Sequence, residues 1–370
     1  MHRDPSHSIP ANAFGSNRRW SAAGVLAAVL LVCVLPKTAA QATLRARLRA
    51  LPFKIAYESY VHGNWDIYVA NADGSAPVNL TATPDQNEHY PQISRDGRQI
   101  CFVSDTGEGR QVIRSLYVMD TDGRHRRKLA DRARQPFWTQ AGEAIGYLPQ
   151  LYPIFRPNDG YTDGMVFYSL ATGKTTPHPA SAKLHQLYNP SFDPGGRWIA
   201  ATVHGGMGIG HAIILIAARG TRFVKLNIPG CRPCLSPDGK EIAWGASDHE
   251  LVVAPLDMSS DHPQVGPWRL RITDATNKVY HVDWSPDGHF LSFSRGPNGE
   301  GDPNRVGTYQ VPNEMIGAYA PGWNIAVVAA DRTGTLDLNH VSSAEVVEVT
   351  TNGCSNKEPA WFRDPSRDGQ

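Results

Sequence analysis

Residues Tyr280–Ser294 read Y-H-V-D-W-S-P-D-G-H-F-L-S-F-S and contain two short apolar runs joined by a turn. Val282 and Trp284 alternate with polar neighbours, and a second run surrounds Phe293. Ser285–Gly288 lies between the runs, where proline presets φ and glycine accepts a positive φ. This arrangement predicts a β-hairpin.

The same pattern recurs along the chain. Further copies of the apolar anchor and its turn, the last one shortened, are Ile93–Gly97, Trp138–Gly142, Phe192–Gly196, Leu235–Gly239 and Trp361–Asp364. The residue two before the anchor is proline in five of the six copies, and Val282 is the exception. A second series of short apolar runs, beginning with Asp66–Val69, alternates with the first. Two interleaved series of six copies predict repeats of four short strands, which is the pattern of a β-propeller.

The predicted fold is therefore all-β, a six-bladed β-propeller with four-stranded blades over residues 53–364. The first blade lacks its first strand, because no turn precedes Lys54–Glu58, and Lys357–Phe362 can supply it. Pairing of these N- and C-terminal strands would close the ring and leave no open sheet edge. The predicted blades are 357–362 with 53–82, then 89–130, 134–178, 188–227, 231–273 and 280–350.

The N-terminal region has a different composition. Residues 22–35 are apolar throughout, which is short for a transmembrane helix but suits a signal peptide. Residues 1–42 are therefore predicted to be a signal peptide or, alternatively, an N-terminal membrane anchor. Residues 43–52 are predicted as a short helix or linker, and 365–370 as a disordered tail. The expected location is periplasmic or secreted, or else attached to the inner membrane and facing outward.

Gly63–Gly74 followed by Asn79–Thr81 resembles the WD40-like repeat of TolB-type six-bladed propellers. The turns in Trp284–Gly288 and Leu235–Gly239 are similar to the turn of the same family. The resemblance covers about residues 53–364 and implies the propeller fold. Only about ten residues separate the predicted cleavage site from the first strand, so the α/β domain that precedes the propeller in TolB is predicted to be lacking. TolB's partner, a peptidoglycan-associated lipoprotein, is not carried over.

The first strand of each blade should line a central channel, so the two residues before each proline should ring one channel mouth. We call these residues, apart from Cys231, the crown, and predict that they bind a ligand: His89, Tyr90, Arg134, Gln135, Tyr188, Asn189, Arg232, Tyr280, His281, Lys357 and Glu358. A convergent polar ring in a concave site is where a ligand is expected, although solvent exposure alone also favours polar residues. The hypothesis is that the crown binds a peptide segment, a glycan or another protein.

Three histidines are considered as possible ligands of a metal ion. His89, His185 and His281 precede inner strands in alternate blades, and converging imidazoles can hold a transition metal. Oligogalacturonate lyases have a related propeller with a metal held by channel histidines, but their ligand motif does not match this sequence. Hydrogen-bonded surface histidines are the preferred interpretation, and neither a metal nor another cofactor is predicted.

Cys231 and Cys234 form a C-x-x-C motif that no histidine follows, which excludes c-type haem attachment. They are a disulfide candidate in an exported protein. In an extended strand, residues three apart point to opposite faces, so a bend at Pro233 would be required.

Two insertions, Leu151–Gly164 and Arg295–Gly322, should form surface loops between second and third strands, with or without a binding role. The net charge of +1 does not indicate nucleic acid or an anionic membrane as a partner. The sequence contains no recognisable nucleophile with its base. The predicted function is an exported, non-enzymatic and monomeric propeller that binds a protein or carbohydrate of the cell envelope through one face or the channel mouth. The alternative is a metal-dependent enzyme similar to polysaccharide lyases, with its site in the channel.

Overall fold

The computed structural model describes residues 43–151, 154–157, 160–301 and 311–367. Its strands form six antiparallel sheets arranged as the blades of one closed ring, which confirms the predicted six-bladed propeller. The N-terminal segment 1–42, predicted as a signal peptide or anchor, lies outside the described residues, as do the last three residues of the predicted tail. Within the described ranges, no helix combines the length and the apolar composition that crossing a membrane requires.

Blades 1 to 3 follow the predicted order. Blade 1 contains β1 (Phe53–Val61), β2 (Asn64–Asn71) and β3 (Val78–Asn79), with β26 (Ser355–Arg363) as its inner strand. Blade 2 contains β4 (Asn87–Ile93), β5 (Gln99–Thr106), β6 (Ile113–Asp120) and β7 (Arg127–Asp131). Blade 3 contains β8 (Ala133–Trp138), β9 (Ala144–Pro149), β10 (Val166–Ser169) and β11 (Thr175–Pro177).

Blades 4 to 6 complete the ring. Blade 4 contains β12 (Leu187–Phe192), β13 (Trp198–His204), β14 (His211–Ala217) and β15 (Phe223–Lys225). Blade 5 contains β16 (Cys231–Leu235), β17 (Glu241–Ser247), β18 (Glu250–Asp257), β19 (Gln264–Val265) and β20 (Leu270–Thr273). Blade 6 contains β21 (Asn277–Trp284), β22 (Phe290–Pro297), β23 (Asn324–Ala329) and β25 (Val346–Glu348).

One strand leaves its own blade. β24 (Gly334–Asp337) follows β23 in the chain but pairs in parallel with β20, so it adds an outer strand to blade 5. Leu336 of this strand is buried in the same apolar cluster as Leu270 and Ile272. Burial of this side chain between two blades explains why the connection lies against the neighbouring sheet.

The ring closes as predicted. β26 pairs antiparallel with β1, and Trp361 lies opposite Ile55. Trp361 is buried with Phe53, and their rings pack edge to face. The C-terminal strand is therefore the innermost strand of the first blade.

The segment 43–52 contains a short helix, α1 (Leu44–Ala50), that packs on the propeller. Thr43 caps its N-terminus by accepting a hydrogen bond from the Ala46 amide. Leu44 and Leu48 are buried in the apolar cluster that includes Trp361. Of the two predicted forms of this segment, the structure shows the helix.

The hairpin turns between first and second strands share one geometry. In the first complete turn, Ser94 Oγ donates to Asp96 Oδ1 at 2.6 Å, and the Arg98 amide donates to the same oxygen at 3.1 Å. Gly97 has φ +71°, and an added Cβ would lie 2.6 Å from the Arg363 carbonyl oxygen of the adjacent blade. The turn aspartate therefore stabilises the turn by accepting local hydrogen bonds. The glycine is needed because the adjacent blade approaches too closely for a side chain.

Every inner strand also contains a bulge, which the sequence pattern did not predict. The residue before each proline or Val282 has a positive φ: Tyr90 (56°), Gln135 (47°), Asn189 (48°), Arg232 (54°), His281 (56°) and Glu358 (53°). The ladder to the second strand shifts register at each of these positions. A non-glycine residue in this conformation costs about 1–2 kcal/mol, so six copies require compensating contacts.

Hydrogen bonds between blades provide that compensation. The Tyr90 amide donates to Glu58 Oε2 at 3.1 Å, and the Arg232 amide donates to Thr202 Oγ1 at 2.8 Å. The Glu358 amide donates to Ser294 Oγ at 3.2 Å. In each case the acceptor belongs to the preceding blade, so the bulges tie neighbouring blades together around the channel.

Candidate functional site

Each inner strand contributes three positions to the channel, and the six blades therefore define three rings. The cap ring holds the first crown position of each blade: His89, Arg134, Tyr188, Cys231, Tyr280 and Lys357. The bulge ring holds the second: Tyr90, Gln135, Asn189, Arg232, His281 and Glu358. The basin ring holds the residue after each proline or Val282: Gln92, Phe137, Ser191, Cys234, Asp283 and Ala360.

The basin is an open cavity of about 600 Å³ at the end of the channel formed by the strand 1–2 turns. All six residues of the basin ring line it, together with turn residues such as Arg95, Gln140 and Asp193. A narrower cavity of about 70 Å³, the throat, is lined by members of the basin ring and by five of the six bulge-ring residues, Gln135 being the exception. The basin and the throat adjoin because they share Gln92, Ser191, Cys234 and Asp283.

The described parts of the two insertions cover the other end of the channel. Lys357 is fully buried, and its Nζ donates to the carbonyls of Asn313 at 3.2 Å, Ala318 at 2.9 Å and Met315. Arg134 donates to the Arg156 carbonyl in the other insertion. The described parts of both loops therefore pack on the cap ring.

The crown residues are consequently placed inside the molecule. All of them are buried except Asn189, which is partly exposed. Five line the throat, and Tyr188, Arg232 and Tyr280 line a separate side pocket of about 410 Å³ beneath the second insertion. Arg232 takes part in both cavities, and its guanidinium lies 5.5 Å and 4.8 Å from the ring centroids of Tyr188 and Tyr280. Ligand binding by the crown stays a prediction.

The pKa values of two buried glutamates in the channel wall are shifted in opposite directions. Burial alone would raise the pKa of Glu58, but the hydrogen bond and charge of His89, 3.3 Å away, hold that pKa below its usual value. Burial and the nearby charge of Glu58 raise the pKa of Glu358 to about 8. His281 Nε2 lies 3.0 Å from Glu358 Oε1. At neutral pH, therefore, Glu58 is ionised and Glu358 is mostly protonated.

Asp283 is the charged residue of the basin ring. Its Oδ1 accepts from the Cys234 thiol at 3.3 Å, and its Oδ2 accepts from the Trp361 amide at 2.8 Å. Burial raises the pKa of Asp283 to about 6, although these two hydrogen bonds act in the opposite direction. Burial and the adjacent carboxylate raise the pKa of the Cys234 thiol well above its usual value. The pair therefore consists of a carboxylate and a neutral thiol at neutral pH.

The two cysteines of the C-x-x-C motif have different surroundings. Cys231 lies in an apolar cluster with Tyr188, Tyr280 and Trp323, whereas Cys234 faces Asp283 of the next blade. Both are free thiols in the structure, and the bulge at Arg232 separates them. A disulfide between them stays a prediction.

The three histidines considered as metal ligands each contact a different carboxylate. His89 pairs with Glu58, His281 pairs with Glu358, and the more exposed His185 lies 2.6 Å from Asp163. In the part of the chain that the structure describes, no group of three or more His, Cys, Asp or Glu side chains is placed to hold a metal ion.

Sequence reasoning missed the basin ring. It assigned the channel surface to the two residues before each proline, because it assumed regular strands. The position after each proline or Val282 holds six different residue types, but so does the bulge position before it, so variation between repeats does not distinguish the basin ring from buried positions.

The ring of blades and its channel place this chain among the six-bladed β-propellers. No protein-family model and no curated protein matches the sequence. Solved structures match it over most of its length, and TolB from Acinetobacter baumannii has a TM-score of 0.56, with 14% identity, 83% of this chain and 66% of that chain covered. Putative TolB from Agrobacterium tumefaciens has a TM-score of 0.52, with 11% identity, 83% of this chain and 91% of that chain covered.

The propeller also occurs within larger proteins. Hydrazine synthase from Kuenenia stuttgartiensis has a TM-score of 0.52, with 10% identity, and 88% of this chain matches 49% of that one. Identities this low show the fold and nothing about function. The chain has the six-bladed propeller fold of these TolB structures, as its repeat motifs predicted.

Proposed function

We propose that this chain is an exported, non-enzymatic propeller that binds a protein or carbohydrate partner through the open end of its channel. One observation carries the proposal: a basin of about 600 Å³ to which all six blades contribute a different side chain. A concave site with aromatic walls and a few polar groups is the usual form of a binding site. The proposed export depends on the apolar segment 22–35, which lies outside the described residues.

The chemistry of the basin favours binding over catalysis. Cys234 is its most nucleophilic residue type, but burial and Asp283 raise the pKa of this thiol and keep it protonated. Ser191 also belongs to the basin ring, and no histidine belongs to that ring. The described basin-ring residues therefore support recognition rather than covalent catalysis.

Narrowing the basin should weaken partner binding. Gln140 is exposed on the lip of the basin, and Gln264 is exposed on the outer edge of blade 5. We expect Gln140→Trp to reduce capture of envelope proteins, or binding to a glycan array, by about ten-fold, because the indole occupies space that a partner needs. The matched control Gln264→Trp should bind as the wild type does.

The comparison requires both variants to melt at the wild-type temperature. Equal binding by the two tryptophan variants would contradict the use of the basin, and so would wild-type protein that retains no envelope protein and no glycan.

A further inference from the structure

The floor of the basin carries one negative charge. Among the six basin-ring residues, Asp283 is the one with a carboxylate, and the others are Gln, Phe, Ser, Cys and Ala. Asp283 is partly exposed and lines both the basin and the throat. The residue therefore borders the open end of the channel, although its carboxylate is largely shielded from solvent.

No cation of the described chain neutralises Asp283. Its two oxygens accept from the Cys234 thiol and the Trp361 amide, which are both uncharged donors. Arg232 and His281 lie deeper, in the throat, together with Glu358. A carboxylate that has lost water without gaining a counter-ion is destabilised, and the raised pKa of Asp283 reflects that cost.

The other charged groups around the basin already have partners. They are Arg95, Asp96, Asp193 and Arg363 on the lip, with Arg232, His281 and Glu358 in the throat. Asp193 accepts from the amides of Gly195 and Arg197 at 3.0 Å and 3.2 Å, and Arg95 donates to the Pro194 carbonyl at 3.2 Å. Asp96 belongs to its turn. Asp283 is therefore the carboxylate of the basin that lacks a charged or turn-forming role.

The lining of the basin combines polar turn residues with aromatic residues. The aromatic residues come from several blades, namely Phe137, Trp138, Phe192, Trp284 and Trp361, of which Phe192 is partly exposed and the others are buried. Aromatic rings accommodate an aliphatic chain and also attract a cation. A ligand that suits both the walls and the floor has an apolar stem that ends in a positive charge.

We propose that the basin recognises a lysine side chain of a partner protein, whose ammonium group pairs with Asp283. This inference rests on the proposed function and names its ligand chemistry: the methylene stem contacts the aromatic walls and the ammonium replaces the missing counter-ion. Since the basin is wide, neighbouring residues of the partner fit between the five turns that surround it.

The test compares two small probes that differ only in charge. Nα-acetyl-lysine amide and Nα-acetyl-norleucine amide are titrated into the protein near neutral pH, and binding is measured by calorimetry. We expect the lysine probe to bind about ten-fold more tightly than the norleucine probe. Asp283→Asn should remove that preference and leave norleucine binding unchanged, while Asp257→Asn, at an exposed position of blade 5 away from the basin, should keep it.

Three results would overturn the inference: equal binding of the two probes, a lysine preference that survives Asp283→Asn, or glucosamine binding more tightly than the lysine probe. Thermal unfolding of Asp283→Asn is measured as a control for its folding. We expect this variant to fold, because the asparagine removes a charge that is costly to bury. If the preference is absent while Gln140→Trp still blocks partner binding, the inference fails and the proposed function stands.

Discussion

Single residues in the channel wall set its charge. Glu58 and Glu358 belong to adjacent strands of blade 1, and both are buried. Glu58 has His89 as a partner and accepts a backbone amide, so its ionised form is stabilised. Glu358 lies close to that negative charge, which favours its protonated form. Different neighbours thus shift the pKa values of these two buried carboxyl groups in opposite directions.

Glu358 should make the stability of the protein depend on pH. The pKa of Glu358 rises from 4.5 to about 8 on folding, so its contribution to stability is complete below pH 4.5 and is lost as the pH rises through 8. Glu358→Gln is neutral at every pH. The wild type should therefore lose stability relative to this variant between about pH 5 and pH 8, by on the order of a few kcal/mol.

Urea unfolding at several pH values measures this difference. Glu108→Gln, at an exposed position, serves as the control and should follow the wild-type pH profile. Parallel profiles for wild type and Glu358→Gln would show that Glu358 does not hold its proton.

At the scale of elements, the insertions act as a cover for the channel. The second insertion was predicted as a surface loop, yet Ile316 and Ala318 are buried. The Lys357 ammonium holds this segment through three carbonyls, and it also lies 5.1 Å from the ring centroid of Trp65. An element without regular secondary structure is thus held by buried charges from inner strands, since Lys278 of β21 also donates to Glu314 Oε2 of this segment at 2.9 Å.

Removal of the Lys357 charge should release the cover. Lys357→Met leaves three buried carbonyls without their donor, so we expect a loss of about 3 kcal/mol or more in the free energy of unfolding. Amide hydrogen exchange in residues 311–320 should accelerate more than exchange in the blades.

The control is Lys54→Met on the adjacent strand β1, where the ammonium pairs with Asp364 at 2.9 Å and is partly exposed. This variant should change stability by less than about 1 kcal/mol. Unchanged exchange in residues 311–320 of Lys357→Met would mean that other contacts position the cover.

The whole molecule depends on closure by its C-terminal strand. β26 supplies the innermost strand of blade 1 and contacts both β21 and β4, the inner strands of the neighbouring blades. It also supplies Ala360 to the basin ring, and its Trp361 amide holds Asp283. An open ring would expose the edge of β1 and two apolar blade faces.

A chain that ends at Cys354 should therefore fail to fold cooperatively. We expect it to aggregate or to lose its thermal transition, as measured by circular dichroism and size-exclusion chromatography. A chain that ends at Arg367 keeps β26 and should melt like the full-length protein. Addition of a peptide with residues 355–367 should partly restore the transition. A cooperative monomer without β26 would contradict this account of closure.

Much of the architecture could be predicted from residue patterns alone. Alternation of apolar residues and the recurring turns are local signals, so the strands, the number of blades and the pairing of Lys54–Glu58 with Lys357–Phe362 followed from them. The pairing of β24 with blade 5 could not be predicted from these local signals. Both blades have an apolar face against which β24 could pack, and only the tertiary packing selects between them.

The candidate site depended on contacts between residues far apart in the chain. The bulges need partners on the preceding blade, such as Glu58 for Tyr90, and they change which residues face the basin. The covered end of the channel depends on Lys357 and a loop about forty residues before it. Sequence periodicity reports which face of a strand is buried, but the direction of a bulged residue is set by hydrogen bonds that form only once the blades are assembled.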